Sequence, residues 1–555
     1  MESLMPHAVA AMSGIFKWPL LKGLFKRKPI SPSRRSVTLL TVPTDVLHII
    51  FQILRDETGP ITGRYRHLEG FDREAHNGAQ LLPLSETCHY LREEALPWIF
   101  REVYNWNRRG EDVWPDTLWP FFVTVHLRDR SVRHPADLAL PLNIFSSLPM
   151  LPALTKVTVR IDPAVPAELI QALSLVPNLR YLEIHQARFD GTPTPLSLPF
   201  AALESLQLSI CGFQGCFIRS DNIDRAGETR NVFLLLRTLT DRLTRLQISG
   251  DYLSLDFLAL DWVHLWEFTV TDHTPTPYIA VPDLICRMPA LRDLSILFSA
   301  DATRNAQDIH PPFQLGIADG GLLNDCSPLL TTITLSNSEP ADPLFAQLPP
   351  SLESLHLLTM RDWFVDLSRS STHRRILLAP LTSTTVITTL QHISHLQDLA
   401  ELSLTLNIFP TAHLIESIAA IFPRLRILQW GHSTYGHGND FCEDVRDETI
   451  VTALHKFPFL TDLRIALDFT ERDFQEGPQK RAAYWFLERL PNVRTIAFLW
   501  NRGVRYYGYP AVVWKVWDRS LLLRPPPPSS PPPSIHIDFE APAIPPWEIE
   551  SDNGS

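Results

Sequence analysis

The sequence predicts an α/β fold in which a small N-terminal helical bundle precedes a long solenoid of parallel strands and helices. Three observations lead to this prediction. A six-residue apolar pattern recurs twelve times between residues 154 and 498, helix-like segments that end in proline lie between several copies, and a compact apolar segment at 40–105 precedes them. Tandem units of this size bury their apolar sides only by stacking on one another, which favours a solenoid.

The recurring pattern is L-x-x-L-x-L, in which other apolar residues replace some leucines. The copies are LTKVTV (154–159), LRYLEI (179–184), LESLQL (203–208), LTRLQI (243–248), LWEFTV (265–270), LRDLSI (291–296), LTTITL (330–335), LESLHL (352–357), LAELSL (399–404), LRILQW (425–430), LTDLRI (460–465) and VRTIAF (493–498). Many starts lie 22–26 residues apart, and the longer intervals of 33–47 residues indicate inserts. This spacing is that of leucine-rich repeats, and predicts about twelve units over residues 150–503.

Helices are predicted wherever an amphipathic run between two strands ends in proline. Four such runs are AELIQALSLVPNL, AHLIESIAAIFPRL, DETIVTALHKFPFL and QKRAAYWFLERLPNV. Proline stops a helix and pushes the residue before it into extended geometry. Each unit is therefore expected to run strand, turn, helix and proline, with parallel strands on the concave face of the solenoid and helices on its convex face.

The polar residues of the strands are predicted to face the concave surface, because side chains alternate along a strand. They are Glu183, His185, Gln207, Gln247, Thr269, Ser295, Thr334, His356, Ser403, Gln429 and Arg464. This face is mostly neutral and rich in hydroxyl groups, and the formal net charge of the chain is −11. Both features argue against a nucleic-acid partner, which requires a basic surface.

The chemistry of an enzyme, a metal site or a cofactor site is not apparent in the sequence. GHSTYGHGND (431–440) has Tyr435 where a nucleophile elbow requires its second glycine, and His392 and His395 lack obvious further metal ligands. The six cysteines are scattered without a CxxC pair, which favours reduced thiols in a cytoplasmic or nuclear protein. No membrane span is predicted, because the long uncharged run at 376–397 is rich in Thr, Ser, Gln and His.

Both ends of the chain are predicted to be tails. Residues 1–39 are basic, and a disordered tail, a nuclear signal, a membrane-surface anchor and a transit peptide remain alternatives for them. Residues 504–555 contain a proline-rich run and an acidic end, which suit a linker or a ligand for a proline-binding module. Residues 106–149 are predicted to be a linker or a capping segment between the helical bundle and the repeats.

The segment LTVPTDVLHIIFQILRD (40–56) predicts a helix with two apolar stripes. Pro43 and Thr44 suit a helix start, with Thr44 as the cap. The first stripe is Leu47, Ile50, Phe51 and Leu54, and the second is Val46, Ile49 and Ile53. A surface helix needs one stripe, so the second is expected to pack against a partner or against the repeats of the chain itself.

A second helix is predicted after a polar insert near residues 56–80. Leu84, Cys88, Leu91 and Ala95 recur at helical spacing, and Pro97 is expected to end that helix or to open the next one. The segment at 40–105 thus predicts a small bundle of two or three helices.

Residues 40–105 resemble the F-box. The matching residues are Val42-Pro43, where the family usually has Leu-Pro, then Leu47, Ile50 and Leu54, and then Leu84, Ser85, Cys88 and Arg92 from the pattern L-S-x-x-C-x-x-x-R; ALPWIFREVYNW resembles the end of many fungal members. The resemblance implies docking on the Skp-type adaptor of a cullin–RING ubiquitin ligase. The residues that it places at the adaptor are Pro43, Val46, Ile49, Ile50 and Ile53.

Together the F-box resemblance and the repeats predict a substrate receptor of an SCF-type ubiquitin ligase, without catalytic residues of its own. A leucine-rich-repeat scaffold without a role in ubiquitylation is the alternative. Protein interfaces favour aromatic and arginine anchors, and these concentrate late in the repeats. The candidate target-binding residues are Tyr435, His437, Arg464, Arg502 and Tyr506, although the nearby Trp430 and Trp500 would also suit a cap on the end of the solenoid.

Overall fold

The structure is a computed structural model. It describes residues 42–56, 81–106, 116–128, 142–160, 165–185, 189, 200–209, 225–272, 275, 278–298, 315–316, 323–358, 383–406, 411–432, 448–465, 476–506 and 509–522. These residues fall into two compact units, one within residues 42–125 and one within 126–522.

The first unit begins with three helices and one strand. Its elements are α1 (Thr44–Asp56), α2 (Leu82–Ser85), α3 (His89–Ile99), β1 (Glu102–Trp106) and a 3-10 helix (Asp116–Phe121). Six buried residues form the core of this bundle: Leu47, Phe51, Leu81, Leu84, Leu91 and Ala95. These helices pack around a shared core, with Leu47 and Phe51 from the first stripe of α1 on its inner side.

Three details of the bundle differ from the prediction. The predicted second helix is broken, because Cys88 adopts extended geometry and caps α3, its Sγ accepting a hydrogen bond from the Leu91 N–H at 3.5 Å. Pro97 lies inside α3, so it neither ends that helix nor opens another. Thr44 is the first residue of α1, and its hydroxyl lies 3.2 Å from that of Tyr90. The carbonyl of Pro43 starts the helix by accepting from the Leu47 N–H at 2.9 Å.

Most of the remaining strands are followed by a helix. The strands are β2 (Thr124–Arg128), β3 (Lys156–Arg160), β4 (Tyr181–His185), β5 (Ser205–Ser209), β6 (Arg245–Ser249), β7 (Glu267–Asp272), β8 (Asp293–Phe298), β9 (Thr332–Ser336), β10 (Ser354–Leu358), β11 (Glu401–Leu406), β12 (Ile427–His432), β13 (Asp462–Ile465), β14 (Thr495–Tyr506) and β15 (Tyr509–Asp518). The helices are α4 (Leu142–Ser147), α5 (Ala167–Ser174), α6 (Arg225–Arg237), α7 (Val281–Ile285), α8 (Leu323–Cys326), α9 (Leu344–Gln347), α10 (Ser383–His392), α11 (Ala412–Ile421), α12 (Glu448–Leu454), α13 (Glu476–Arg489) and α14 (Arg519–Leu522).

Each of the twelve predicted repeat copies coincides with one strand, from β3 to β14. Neighbouring strands pair in parallel, in the order of the chain. The pattern leucines are buried, as with Leu182 and Ile184 in β4, while the alternating positions are partly open. The predicted α/β solenoid with a mostly parallel sheet is confirmed.

The connections are less uniform than the predicted strand, turn, helix and proline. The four predicted helices are present as α5, α11, α12 and α13. Between β6 and β7 the chain forms two 3-10 helices instead, Gly250–Tyr252 and Leu255–Ala259. The buried aromatic residues Tyr252, Phe257 and Trp262 are five residues apart, a spacing that places no common stripe on an α-helix.

The sheet ends in an antiparallel hairpin that the sequence did not predict. β14 extends to Tyr506, and β15 pairs with it antiparallel, with an irregularity between Asn501 and Arg505. The predicted end of the repeats at residue 503 and the predicted tail from residue 504 are therefore wrong for the segment up to residue 522. Residues 102–128 likewise contain strands and a 3-10 helix where the prediction placed the end of the bundle and a linker or capping segment.

Candidate interaction surfaces

The outer side of α1 carries exposed apolar residues. Leu47 and Phe51 are fully buried in the bundle, whereas Val46 is 41% and Ile49 is 56% exposed. Pro43 is exposed as well. Since residues three apart share a helix face, Pro43, Val46 and Ile49 form one surface, which we call the α1 outer face.

Contacts with α3 set the orientation of the α1 outer face. His48 Nε2 lies 2.8 Å from Glu94 Oε2, and the His48 ring lies 5.7 Å from the Trp98 ring, measured between centroids. Together with the buried leucines, these contacts fix the rotation of α1 about its axis. The exposure of Val46 and Ile49 therefore follows from packing on the other side of the helix.

Four of the five residues predicted at the adaptor have described side chains. Pro43, Val46 and Ile49 lie on the α1 outer face, whereas Ile50 is half-buried and packs against the core of the bundle. The backbone of Ile53 is part of α1, and its side chain lies outside the described residues.

The open side of the sheet carries two ordered rows of residues. The strand register aligns eleven polar residues and one alanine side by side in what we call the central row: Thr158, Glu183, Gln207, Gln247, Thr269, Ser295, Thr334, His356, Ser403, Gln429, Arg464 and Ala497. Two positions earlier in each strand is a more charged row, which includes Lys156, Arg245, Glu267, Asp293, Glu401 and Asp462. The predicted strand-face residues therefore do share one surface.

The first charged cluster of this surface surrounds Glu183 on β4. Its carboxylate lies 2.6 Å from Lys156 Nζ and 3.7 Å from His185 Nε2, and accepts from the Thr158 hydroxyl at 3.0 Å. Burial raises the pKa of Glu183, but hydrogen bonds from His185 and Lys156 outweigh it and lower the pKa from 4.5 to about 2. The acid of this cluster thus has its donors within the chain.

We expect Glu183 to stabilise the fold in a pH-dependent way. Its pKa is lower in the folded than in the unfolded state, so the stabilisation is full above pH 4.5 and is lost as the pH falls toward 2. The lowering corresponds to at most about 3 kcal/mol. Glu183→Gln should therefore destabilise the protein more at pH 7 than at pH 3 in urea unfolding. Glu204→Gln, which breaks an exposed pair with Arg180, serves as the control; equal losses for Glu183→Gln at both pH values would contradict the assignment.

The second cluster lies on β10 to β13 and consists of His356, Ser403, Gln429 and Arg464. Arg464 Nη1 donates to Gln429 Oε1 at 3.4 Å, and among the described residues Arg464 has no carboxylate within ion-pair distance. Ser403 is 1% exposed, and within the described part of the chain its hydroxyl has no hydrogen-bond partner. Burial lowers the pKa of His356 below 6.5, Glu401 opposes this shift, and Arg464 adds to it.

The predicted target-binding residues are not gathered by the described structure. Arg464 lies in the central row, while Arg502 and Tyr506 belong to β14 with side chains outside the described residues. Tyr435 and His437 also lie outside the described residues. Trp430, named as a possible anchor nearby, is 2% exposed and occupies a core position between Leu404 and Ile465.

The residues of the charged row beside the central row were not among the residues predicted by name to face the concave surface. Arg245 pairs with Glu267 at 3.2 Å and lies over the Trp266 ring at 4.5 Å, and the Ser354 hydroxyl donates to Glu401 at 3.4 Å. The signal for this row was present, because residues two apart in a strand share a face. The unpartnered hydroxyl of Ser403 had no sequence signal, since it depends on the side chains of neighbouring strands.

Within the described part of the chain, no group of three or more His, Cys, Asp and Glu residues could hold a metal ion. No helix there is long and apolar enough to cross a membrane.

Comparison with known proteins provides no family assignment. No protein-family model and no curated protein matches the chain. Among solved structures, a TLR13–ssRNA13 complex matches at 16% identity and a TM-score of 0.35, covering 68% of this chain and 45% of that chain. The leucine-rich repeat-containing protein LegL7 from Legionella pneumophila matches at 14% identity and a TM-score of 0.32, covering 60% and 97%.

A third structure, the Drosophila Toll–Spatzle complex, matches at 15% identity and a TM-score of 0.26, covering 63% of this chain and 44% of that chain. The chain thus spans less than half of the TLR13 and Toll chains. The repeat assignment for this protein stands on its own strand register and its L-x-x-L-x-L pattern.

Proposed function

We propose that this chain is the substrate-receptor subunit of an SCF-type cullin–RING ubiquitin ligase. The observation that carries the proposal is the two-sided α1, which buries Leu47 and Phe51 in its own bundle and leaves Val46 and Ile49 open on the other side. The F-box resemblance of residues 40–105 supplies the class of partner: a Skp-type adaptor, and through it a cullin.

The energetics favour a partner on the α1 outer face. Complete burial of an aliphatic side chain is worth about 1.5–3 kcal/mol. Because Val46 is 41% and Ile49 56% exposed, covering both would contribute about the value of one such side chain to binding. Because α1 is held by the core and by His48–Glu94, this surface is formed in advance and little ordering cost accompanies docking.

The repeats are proposed to hold the target. The open side of the sheet presents polar and charged residues from twelve successive strands, a surface on which a protein could lie across many repeats. The chain itself is proposed to contribute no catalytic residue and to bind no cofactor. It would act by proximity in the cytoplasm or nucleus, raising the concentration of the target near the ubiquitin-loaded enzyme.

Val46→Asp combined with Ile49→Asp is expected to abolish co-purification of the full chain with a co-expressed Skp-type adaptor. Two carboxylates that must be buried without partners cost several kcal/mol at the interface. Leu175→Asp combined with Leu329→Asp, at two exposed apolar positions in the repeats, is the matched control and should retain the adaptor. Undiminished adaptor recovery with the double variant would refute the assignment of this surface.

A second measurement separates the ligase from the scaffold alternative. In cells, the wild-type chain should recover a cullin together with the adaptor, and the double variant should recover neither. Recovery of the adaptor without any cullin would instead favour a leucine-rich-repeat scaffold that has no role in ubiquitylation.

A further inference from the structure

The two clusters of the central row differ in one respect. In the first, the cation Lys156 faces the carboxylate of Glu183, an acid that belongs to the chain. In the second, the one described polar contact of the cation Arg464 is with the neutral amide of Gln429, and His356 and Ser403 continue the central row without an acid. The acids nearest to the second cluster, Glu401 and Asp462, belong to the charged row, where they accept from the hydroxyls of Ser354, Thr461 and Thr495.

The donor groups of the second cluster lie side by side on four consecutive strands, β10 to β13. Neighbouring strands are about 4.8 Å apart, so His356 and Arg464 are separated by about 14 Å at the backbone, with Ser403 and Gln429 between them. Arg464 is close enough to shift the titration of His356. Arg464 provides a positive charge, and Ser403 and Gln429 provide uncharged hydrogen-bond donors.

The hydroxyl of Ser403 is the second observation. Ser403 is 1% exposed, and no described residue is a hydrogen-bond partner of its hydroxyl. Alternation along β11 directs this hydroxyl to the open side of the sheet, between His356 and Gln429. Its nearest neighbour in the row, Gln429, has its side-chain oxygen engaged by Arg464 at a long 3.4 Å. If a bound ligand accepted hydrogen bonds from Arg464 instead, the side-chain oxygen of Gln429 would be free to accept from the Ser403 hydroxyl.

We propose that this cluster binds an anionic side chain of the target protein, with Arg464 and Gln429 in contact with its oxygens and Ser403 positioning Gln429. The ligand chemistry is a carboxylate or a phosphoryl group, both of which accept from a guanidinium in a two-oxygen geometry. This inference rests on one part of the proposed function, namely that the repeats bind the target.

Acidic neighbours restrict the partner to a single anionic group rather than a nucleic acid. Glu401 lies beside His356 and accepts from Ser354, and Asp462 lies two residues before Arg464 and accepts from the hydroxyl of Thr461 at 2.6 Å and from that of Thr495. Repeated phosphates would meet these carboxylates and the overall charge of −11. The face therefore remains unsuited to nucleic acid, as predicted, and the proposed site for an anionic group is limited to the cluster around Arg464.

The test is direct binding of peptide probes to the purified full chain. The probes are peptide mixtures with randomised flanks and one fixed central residue, which is phosphoserine, aspartate, serine or lysine, together with a single-stranded oligonucleotide. The wild-type chain is expected to prefer the phosphoserine or aspartate mixture over the serine mixture by about 10-fold, the range of one charge-assisted contact. Preference for the phosphoserine mixture alone identifies a phosphoryl ligand, and preference for the aspartate mixture alone identifies a carboxylate. Preference for both mixtures identifies a site that accepts either group.

Variants test the role of each side chain. Arg464→Gln should remove the preference and Arg464→Lys should keep part of it. Ser403→Ala should weaken the preference while leaving the protein as stable or more stable, because it deletes a buried unpaired hydroxyl. Lys156→Met, in the cluster that contains its own acid, should leave the preference unchanged.

No preference for the acidic mixtures, stronger retention of the oligonucleotide, or full preference in a folded Arg464→Gln would each overturn the proposal. None of these outcomes bears on adaptor binding, which is measured separately through α1. Failure of this inference and failure of the ligase assignment are therefore distinguishable.

Discussion

A chain ended at Gly503 is expected to be less stable than a chain ended at Leu522 by on the order of 5 kcal/mol. The first truncation removes β15 and the end of β14, and leaves β14 as an unpaired edge over a buried Ile496 and Phe498. Terminal units of a solenoid need such a closing element, because an open end exposes both core and backbone.

Arg519, just after β15, accounts for much of the expected loss. Its guanidinium donates to the carbonyl groups of Leu487, Leu490 and Val493, which lie at and beyond the end of α13, and its N–H donates to the Arg494 carbonyl at 2.9 Å. A cation is favoured at a helix C-terminus, where carbonyl groups lack partners within the helix. Hydrogen bonds to a charged group are worth about 1.5–3 kcal/mol each.

Urea unfolding of the three chain lengths measures the effect. Arg519→Met in the full chain isolates the contribution of the guanidinium and should cost about 2–4 kcal/mol. Equal midpoints for the chains ended at Gly503 and Leu522 would show that the hairpin adds nothing to the repeats.

The strands of the repeats could be predicted because their signal is local. Two buried positions per strand impose L-x-L, and the preceding leucine packs under the turn, so each copy can be recognised without its neighbours. The hairpin carries no such pattern. β15 has the sequence YPAVVWKVWD, which is apolar without the repeat leucines and precedes a proline-rich run, so it was assigned to the tail.

The candidate surfaces could be predicted in part for the same reason. Alternation along each strand was sufficient to place Gln429 and Arg464 on the open side, and helical spacing was sufficient to separate Val46 and Ile49 from Leu47. Alternation does not reveal which polar side chains form hydrogen bonds with one another. That Glu183 has its donors and Ser403 has none depends on the register of adjacent strands and on side-chain length.

Asp342→Ala is expected to destabilise the protein by about 3–6 kcal/mol. Asp342 is 2% exposed, and its carboxylate accepts from three backbone N–H groups: those of Gly316 and Leu344, each at 2.8 Å, and that of Leu315. It thereby ties residues 315–316 to the start of α9. Each buried donor left without a partner costs about 1–3 kcal/mol, and alanine offers no replacement.

The contact between Asp342 and residues 315–316 also depends on the absence of a side chain at Gly316. A Cβ added there would lie 2.2 Å from the Leu344 backbone nitrogen, so Gly316→Ala must push the start of α9 away from Asp342. Gly316→Ala is therefore expected to destabilise the protein too, and combining it with Asp342→Ala should cost less than the sum of the two, because each breaks the same hydrogen bonds.

Asp398→Ala is the matched control for Asp342→Ala, since Asp398 forms an exposed pair with Arg424 and its loss should change stability by less than about 1 kcal/mol. The stability of Asp342→Asn should fall between those of Asp342→Ala and Asp398→Ala. Its amide keeps one acceptor oxygen, but its NH2 group faces a backbone N–H donor in place of the second oxygen. Unfolding free energies from urea titration, taken at one pH, provide the comparison. An Asp342→Ala chain as stable as the Asp398→Ala chain would mean that the backbone of 315–316 is held by something other than this carboxylate.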